Sequence, residues 1–353
     1  MSKKIGLVGY LGYSVENPII GGQMAKTRGI FSELKRKYGE ENIIAVDTAN
    51  WRNEKFSLFS NMLKIAKSCD LIVVMPNKNG IKIVLPLFST LKGTYKYKLV
   101  YPVVGGWLTG LLKKHSYLAK AIRKIDYILP ETSALAEELK EFVDCRIDTM
   151  AIFSTREPVS EAAIKSDYGA VKRYCTFSRV TPEKGIDDAI EAVVKANKNG
   201  MICSLDVWGP IEEGFKEHYD ELFKKHSDCV TYKGVLAGDE GLSVLSEYYM
   251  MVFPTYYPGE GFPTSVCESF MAALPVIASD WRFNGELVEN GKTGYLFPVH
   301  NVDALTERLV YSSSHPDEVI GMKKTSLSYS DNFVPENVTR QMFDWIDNER
   351  KGS

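Results

Sequence analysis

Glu260 and Glu268 stand with seven residues between them in the stretch FPTYYPGEGFPTSVCESFMAALPVIA, which runs from Phe253 to Ala278. A strand is expected to end near Pro254, and a loop rich in glycine and proline carries Glu260. Thr264 or Ser265 is placed to cap a helix running to about Ala273, on which Val266, Phe270 and Ala273 form a packing stripe. Glu268 then lies one turn below Thr264, so both carboxylates are expected at one mouth. Carboxylates there accept hydrogen bonds from the hydroxyls of a polyol, and free loop amides can hold phosphate oxygens. Either glutamate alone would read as a solvated surface group; the arrangement reads as a binding site.

A second constellation lies in FSRVTPEKGI, from Phe177. A strand is expected to end at Arg179, and Pro182 to open a helix near Lys184. Two cations beside a positive helix terminus repel one another unless an anion relieves them, and a diphosphate suits that place. Nearer the N-terminus, Gly6, Gly9 and Gly12 in GLVGYLG follow a strand, with Asp47 ending the next one. The spacing GxxGxxG departs from the dinucleotide fingerprint GxGxxG, and Asp47 lies too far downstream for its acidic partner. Gly21 and Gly22, before a helix expected from about Gln23, fit a loop that lets the backbone approach an anionic ligand.

These residues must be held by elements, and the sequence supplies two sets of them. KIGLVG, NIIAVD, CDLIVVMP, YKLVYPVV and IDYILP alternate with helix-like stretches, and the alternation restarts with RYCTFSRV, CSLDVWG, MMVFPT and PVIASD. Short β-branched runs between amphipathic segments predict an α/β protein with parallel sheets covered by helices. The 353 residues exceed what one hydrophobic core usually serves. Two doubly wound, Rossmann-like domains are expected, 1–152 and 153–333, facing each other across a cleft. A last helix over 334–353, with Phe343 and Trp345 as anchors, is expected to pack back on the first domain.

Composition narrows the classes. The 44% hydrophobic and 25% charged residues are those of ordinary globular proteins, and no run approaches the ~20 apolar residues of a membrane span. Six cysteines without CxxC spacing read as reduced core residues rather than metal ligands. The start MSKKIGLVGY enters a strand without a secretory leader, which predicts a cytoplasmic protein. Residues 1–150 carry 23 basic against 14 acidic side chains, and residues 151–353 carry 20 against 31. Within 51–125 the count is 14 basic against 2 acidic. The segment Trp107–Lys124 mixes Leu, Trp and Tyr with five cations and no acid, which suits a helix lying on an anionic membrane, or equally a solvated helix covering the sheet. Nucleic acid is not expected, because no stacking motif accompanies the charge.

Taken together, the motifs resemble the family-4 retaining glycosyltransferases of the GT-B fold, the glycosyl transferases group 1, whose hallmark is two glutamates spaced as Glu260 and Glu268 are. The resemblance covers most of 171–300 and includes Arg179, Lys184 and Gly185, the VWGP turn from Val207, YKGV from Tyr232, DWRFNGE from Asp280 and NGKTGY from Asn290. In the N-terminal half it extends to the αβ pattern and to Gly21 and Gly22. It implies a hexosyltransferase-type enzyme moving a sugar from a nucleoside-diphosphate donor, UDP by family habit, to a glycan, glycolipid or polysaccharide precursor.

It further implies that Arg179, Lys184 and Glu260 are catalytic. The first two neutralise the leaving diphosphate, and Glu260 contacts the transferred sugar. Donor contacts would come from Gly22, Gly209, Tyr232, Val235, Gly261, Phe262, Pro263, Thr264 and Glu268, with Glu268 on the ribose hydroxyls. No metal or other cofactor is implied, since the cations do that work. Relatives place a histidine after the fourth strand of the first domain. Here Gly105, Gly106 and Trp107 stand in that acceptor-side loop, and His115 is not assigned the role. Rival classes on the same architecture are a nucleotide-sugar epimerase and a catalytically inactive partner subunit; a dehydrogenase would rest on the first loop alone.

Overall fold

The computed structural model describes residues 4–16, 21–236 and 240–351. It divides into two compact units, one formed by 1–155 with 332–353 and the other by 156–331.

The first unit runs β1 (Lys4–Gly9), α1 (Gly22–Tyr38), β2 (Ile43–Asp47), α2 (Lys55–Ser68), β3 (Cys69–Met75) and α3 (Ile81–Leu91). It continues with β4 (Lys98–Pro102), α4 (Leu108–Lys114), α5 (Ser116–Ile122), β5 (Tyr127–Leu129), α6 (Ser133–Leu139) and β6 (Arg146–Ile147). The second unit runs β7 (Lys172–Phe177), α7 (Ile186–Ala196), β8 (Cys203–Trp208), α8 (Lys216–Lys225), β9 (Val230–Gly234) and α9 (Gly241–Ser246). Then follow β10 (Met250–Phe253), α10 (Thr264–Met271), β11 (Val276–Ser279), β12 (Gly294–Phe297), α11 (Val302–Ser314) and α12 (Pro316–Tyr329). The chain closes with α13 (Pro335–Lys351), which belongs to the first unit.

Both sheets have six parallel strands, in the orders β2-β1-β3-β4-β5-β6 and β12-β11-β10-β7-β8-β9. Strands buried on both faces need apolar residues throughout, which is why β3 reads CDLIVVM and β10 reads MMVF. In the first unit Leu7, Val73, Val100, Tyr127 and Leu129 from the sheet share a core with Met342, Phe343, Trp345 and Ile346 of α13. The ring of Trp345 lies 5.1 Å from that of Tyr127. In the second unit the core joins Tyr174, Val207, Met250 and Ile277 to Ile190 and Val193 of α7 and Leu305 and Leu309 of α11.

Three local expectations are corrected. The basic segment 107–124 is two short helices, α4 and α5, broken at His115, where the backbone is extended. Leu108, Leu111, Leu112, Leu118, Ala121 and Ile122 are buried by packing in this first unit, while Tyr117 stays exposed. The helix after Glu260 has Pro263 at its cap position with no side-chain capping bond, so neither Thr264 nor Ser265 caps it. It ends at Met271, short of Ala273, which takes φ 53° beyond its C-terminus. After Pro182 the chain forms one 3₁₀ turn, Pro182–Lys184, and the α-helix starts only at Ile186. No described helix is long and apolar enough to cross a membrane.

Candidate functional site

In the second sheet β7 and β10 are neighbours, paired Met250 to Tyr174 and Met251 to Cys175, although each pair is 76 positions apart in the chain. The chain leaves β7 toward β8 on one side and leaves β10 toward β11 on the other. This is the topological switch point of an open parallel sheet, where two loops diverge and leave a crevice beyond the strands' carboxyl ends. The loop after β7 carries Arg179 and Lys184, and the loop after β10 carries Glu260.

The loops touch through a residue that must lack a side chain. Gly185 has φ 71°, and a Cβ there would lie 2.2 Å from the Pro254 carbonyl oxygen. Beside it the Tyr256 amide donates to the Glu183 carbonyl at 2.8 Å. This contact brings Lys184 Nζ to 2.5 Å from Glu260 Oε2, with side chains only 10% and 9% accessible. The Thr255 hydroxyl, fully buried, donates to the same carboxylate oxygen at 2.8 Å. The Tyr257 ring lies near both cations, its centroid 5.6 Å from the Arg179 guanidinium carbon and 5.2 Å from Lys184 Nζ.

The structure also revises the electrostatics expected of this loop. Lys184 is paired with Glu260, Arg179 is half exposed with Glu212 at 3.8 Å, and Asp187 and Asp188 occupy the first turn of α7. Protein carboxylates therefore already relieve the repulsion between the two cations. An anionic ligand must compete with them rather than fill an unmet charge.

The Glu260 loop is held from beyond β11. Ser279 Oγ donates to the Thr255 carbonyl at 2.5 Å, Trp281 Nε1 to the Tyr257 carbonyl at 2.9 Å, and Arg282 to the Pro258 carbonyl at 2.9 Å. Asn284, buried, ties the start of that clamp to the Ser279 carbonyl at 3.0 Å. Thr255, Tyr257, Trp281 and Arg282 thus belong to the site's framework. DWRFNGE and FPTYYP could be quoted as motifs, but no local signal tells that their side chains meet.

At the start of α10, Pro263 accepts from the amides of Val266 and Cys267. Among the described residues the amides of Thr264 and Ser265, in the open first turn of the helix, and of Gly261, in the loop before it, donate no hydrogen bond. Gly261 and Pro263 are buried, and Phe262 is half-buried. Glu268, in the middle of α10, is 3.1 Å from Arg156 at the start of this unit. Burial pushes its carboxyl pKa up, and the Arg156 charge only partly offsets this. Glu260 and Glu268 thus have different partners, a lysine with a threonine and an arginine. Sequence reasoning did not single out Arg156.

Gly209, in the VWGP turn, has φ 136°, and a Cβ there would lie 1.7 Å from the Ser178 carbonyl oxygen. Its amide donates to the Gly234 carbonyl, and its own carbonyl accepts from the Tyr232 hydroxyl at 2.9 Å. The ring of Tyr232 stacks on Phe223, and Val235 is exposed. Gly209 is therefore a close-packing glycine that joins the Arg179 loop to the end of β9.

The remaining expected residues lie in the first unit. Gly22 opens α1. Gly105, with φ 80°, donates its amide to Glu131 at 2.9 Å, and Trp107 is the cap residue of α4 with Gly106 before it. Glu131 pairs in turn with the fully buried Lys26 at 3.2 Å, which also donates to the carbonyls of Val103 and Met150. Asp47 is absorbed structurally. Its carboxylate accepts the amides of Leu11, Gly12, Tyr13, Ser14 and Ala49. Burial raises its pKa, but these amides outweigh burial and hold it below the ordinary value.

Residues 163–325 match the family described as "Glycosyl transferases group 1". Over 129 residues the chain is 33% identical to the UDP-N-acetylglucosamine–peptide N-acetylglucosaminyltransferase GtfA subunit of Streptococcus agalactiae, which covers 36% of this chain and 24% of that relative. Over 154 residues it is 26% identical to the amylovoran biosynthesis glycosyltransferase AmsK of Erwinia amylovora, covering 42% of this chain and 37% of that one. The chain thus spans well under half the length of these relatives. Among solved structures, Anabaena Alr3699/HepE in complex with UDP superposes with a TM-score of 0.74 at 14% identity, covering 98% of this chain and 100% of that one. Two parallel sheets with flanking helices, matched in this way, are the GT-B fold. The matched region contains the whole switch-point cluster, Arg179, Lys184, Thr255, Tyr257, Glu260 and Glu268 among it.

Proposed function

We propose that this chain is a retaining glycosyltransferase that moves a sugar from a UDP-sugar to a hydroxyl of a glycan, glycolipid or polysaccharide precursor. The observation that carries the reading is the buried Lys184–Glu260–Thr255 cluster, with Arg179 across the Tyr257 ring, at the switch point of the matched region. Such a cluster offers cations for a diphosphate and an oriented carboxylate for sugar hydroxyls within a few ångströms.

As the glycosidic bond breaks, negative charge builds on the departing diphosphate. Arg179 and Lys184, already positioned, stabilise that charge more than they stabilise the intact donor, and only such a difference speeds the reaction. Glu260 accepts from a hydroxyl of the transferred sugar, and the free amides of Gly261 and Thr264 hold phosphate oxygens. Glu268 accepts from the ribose, and the backbone from Tyr232 to Val235 meets the base. In this scheme the leaving phosphate takes the acceptor's proton on the face it vacates. The configuration is then retained without a protein nucleophile, and no metal is required. Gly105, Gly106 and Trp107 form the acceptor-side loop.

The reading draws support from relatives named for UDP-N-acetylglucosamine transfer and amylovoran biosynthesis. The test is turnover of a panel of nucleotide sugars, read as release of the nucleoside diphosphate with a mixed glycan and lipid acceptor fraction. The expected result is release from UDP-sugars, reduced at least about a hundredfold in Arg179→Ala and Glu260→Ala. Release unaltered in both variants would overturn the assignment.

A further inference from the structure

The helix α2 has two apolar faces, and only one of them is used. Met62, Ile65 and Ala66 are buried, with Ile65 against Gly6 of β1. That inward face is sufficient to seat the helix. On the outer face Phe56 is 93% exposed and Phe59 is 49% exposed, and Leu63, one turn on, is half-buried. Isolated exposed apolar residues need no explanation, but two phenylalanines in successive turns on one helical face do.

The charge around them has one sign. Arg52, Lys55, Lys64 and Lys67 are exposed, and Glu54 is the one acid between Trp51 and Lys67. Among the described residues no carboxylate lies within salt-bridge distance of Lys55, Lys64 or Lys67. By contrast, Lys92 and Lys98 on the same unit both have Asp126 as a partner. The right-handed crossovers β2-α2-β3 and β3-α3-β4 put α2 and α3 on one face of the sheet, and α3 adds half-buried Lys82 and half-exposed Ile83.

We infer that α2, through Phe56 and Phe59 with Lys55, Lys64 and Lys67, is a surface that lies on an anionic lipid bilayer. Aromatic side chains enter the headgroup boundary, and the flanking lysines meet lipid phosphates. A bilayer uses both features of this helix at once, the two phenylalanines at the acyl boundary and the lysines at the headgroups, and flotation on vesicles separates it from an acidic protein or a nucleic acid. The surface assigned here replaces the segment 107–124, whose leucines are turned into the fold. It stands independently of the donor site.

The test is flotation of the full chain with phosphatidylcholine vesicles, with and without phosphatidylglycerol, for the parent, Phe56→Ser/Phe59→Ser, Lys64→Glu/Lys67→Glu and Lys113→Glu/Lys114→Glu. All the changes are at exposed positions, and matching thermal melts confirm folding. The parent is expected to float only with anionic vesicles. The α2 variants should bind about tenfold or more weakly, and the α4 variant should bind close to the parent. Three results would overturn the inference: no lipid-dependent flotation, binding indifferent to loss of the two phenylalanines, or loss confined to the α4 variant.

Discussion

Lys184→Met removes the cation from a carboxylate that has little access to water. Glu260 retains the Thr255 hydroxyl at 2.8 Å and about a tenth of its accessible surface. Breaking a buried pair by deleting one partner costs about 3–5 kcal/mol, because the surviving charge stays buried without compensation. The threonine and the residual exposure place this site at the lower end, about 3 kcal/mol. Glu260→Leu alone should cost a similar amount by stranding Lys184. The double variant Lys184→Met/Glu260→Leu replaces the pair with apolar groups of comparable volume and should recover about 2 kcal/mol of the summed loss, measured as the coupling energy of the cycle. The assay is urea denaturation followed by tryptophan fluorescence, with Trp208 and Trp281 reporting the second unit, whose transition is analysed separately since two units need not unfold together. The double variant should be stable yet inactive, which separates the structural role of the pair from its chemical role. Single-variant losses below about 1 kcal/mol, or losses that add without coupling, would refute the claim that Lys184 and Glu260 act as one buried unit.

Gly209→Ala should destabilise the second unit by more than about 3 kcal/mol, since the new methyl group meets the Ser178 carbonyl at 1.7 Å in a backbone region side chains avoid; Gly214→Ala, with nothing within 4 Å, should be near neutral in the same melts. Lys323, fully buried against the carbonyls of Tyr248 and Ala273, has its pKa lowered by burial to about 7. Between pH 7 and the ordinary lysine range the unfolded chain therefore binds the proton more than the folded one, so stability should rise with pH there, and urea midpoints should lose that rise in Lys323→Met. Glu268 has a raised pKa from burial, opposed by Arg156. If the ionised form holds the ribose, UDP affinity measured by calorimetry should fall on acidification at a pH above the usual glutamate range. Arg156→Ala should move that midpoint upward, and Glu268→Gln should abolish the pH dependence.

Much of the fold was legible because its signals are local. Alternation of β-branched runs with amphipathic stretches is a short-range pattern, and it named the strands β1 to β5, β7, β8, β10 and β11 and the helices between them. Phe343 and Trp345 stood out in the last helix because large apolar side chains at helical spacing require a core. Helix ends were less legible. Thr264 and Ser265 are good capping types, yet Pro263 takes the cap position because its fixed φ suits the turn that leaves the Glu260 loop. The continuous basic helix over 107–124 failed for a related reason. Helical periodicity shows which residues share a face but not where tertiary packing breaks the helix, as it does at His115.

The site divides along the same line. The residue types at Arg179, Lys184, Glu260 and Glu268, and their places at the ends of strands, were determined by the sequence alone, since loop glycines, prolines and strand ends are read from neighbouring residues. That Lys184 pairs with Glu260 while Glu268 takes Arg156, and that Tyr257 lies beside both cations, was decided only by the tertiary structure. The physical reason is sheet order. Parallel pairing of β7 with β10 joins segments more than seventy residues apart. That pairing arises from burial of both sheet faces and from the Gly185–Pro254 contact, neither of which is encoded in any single stretch of chain.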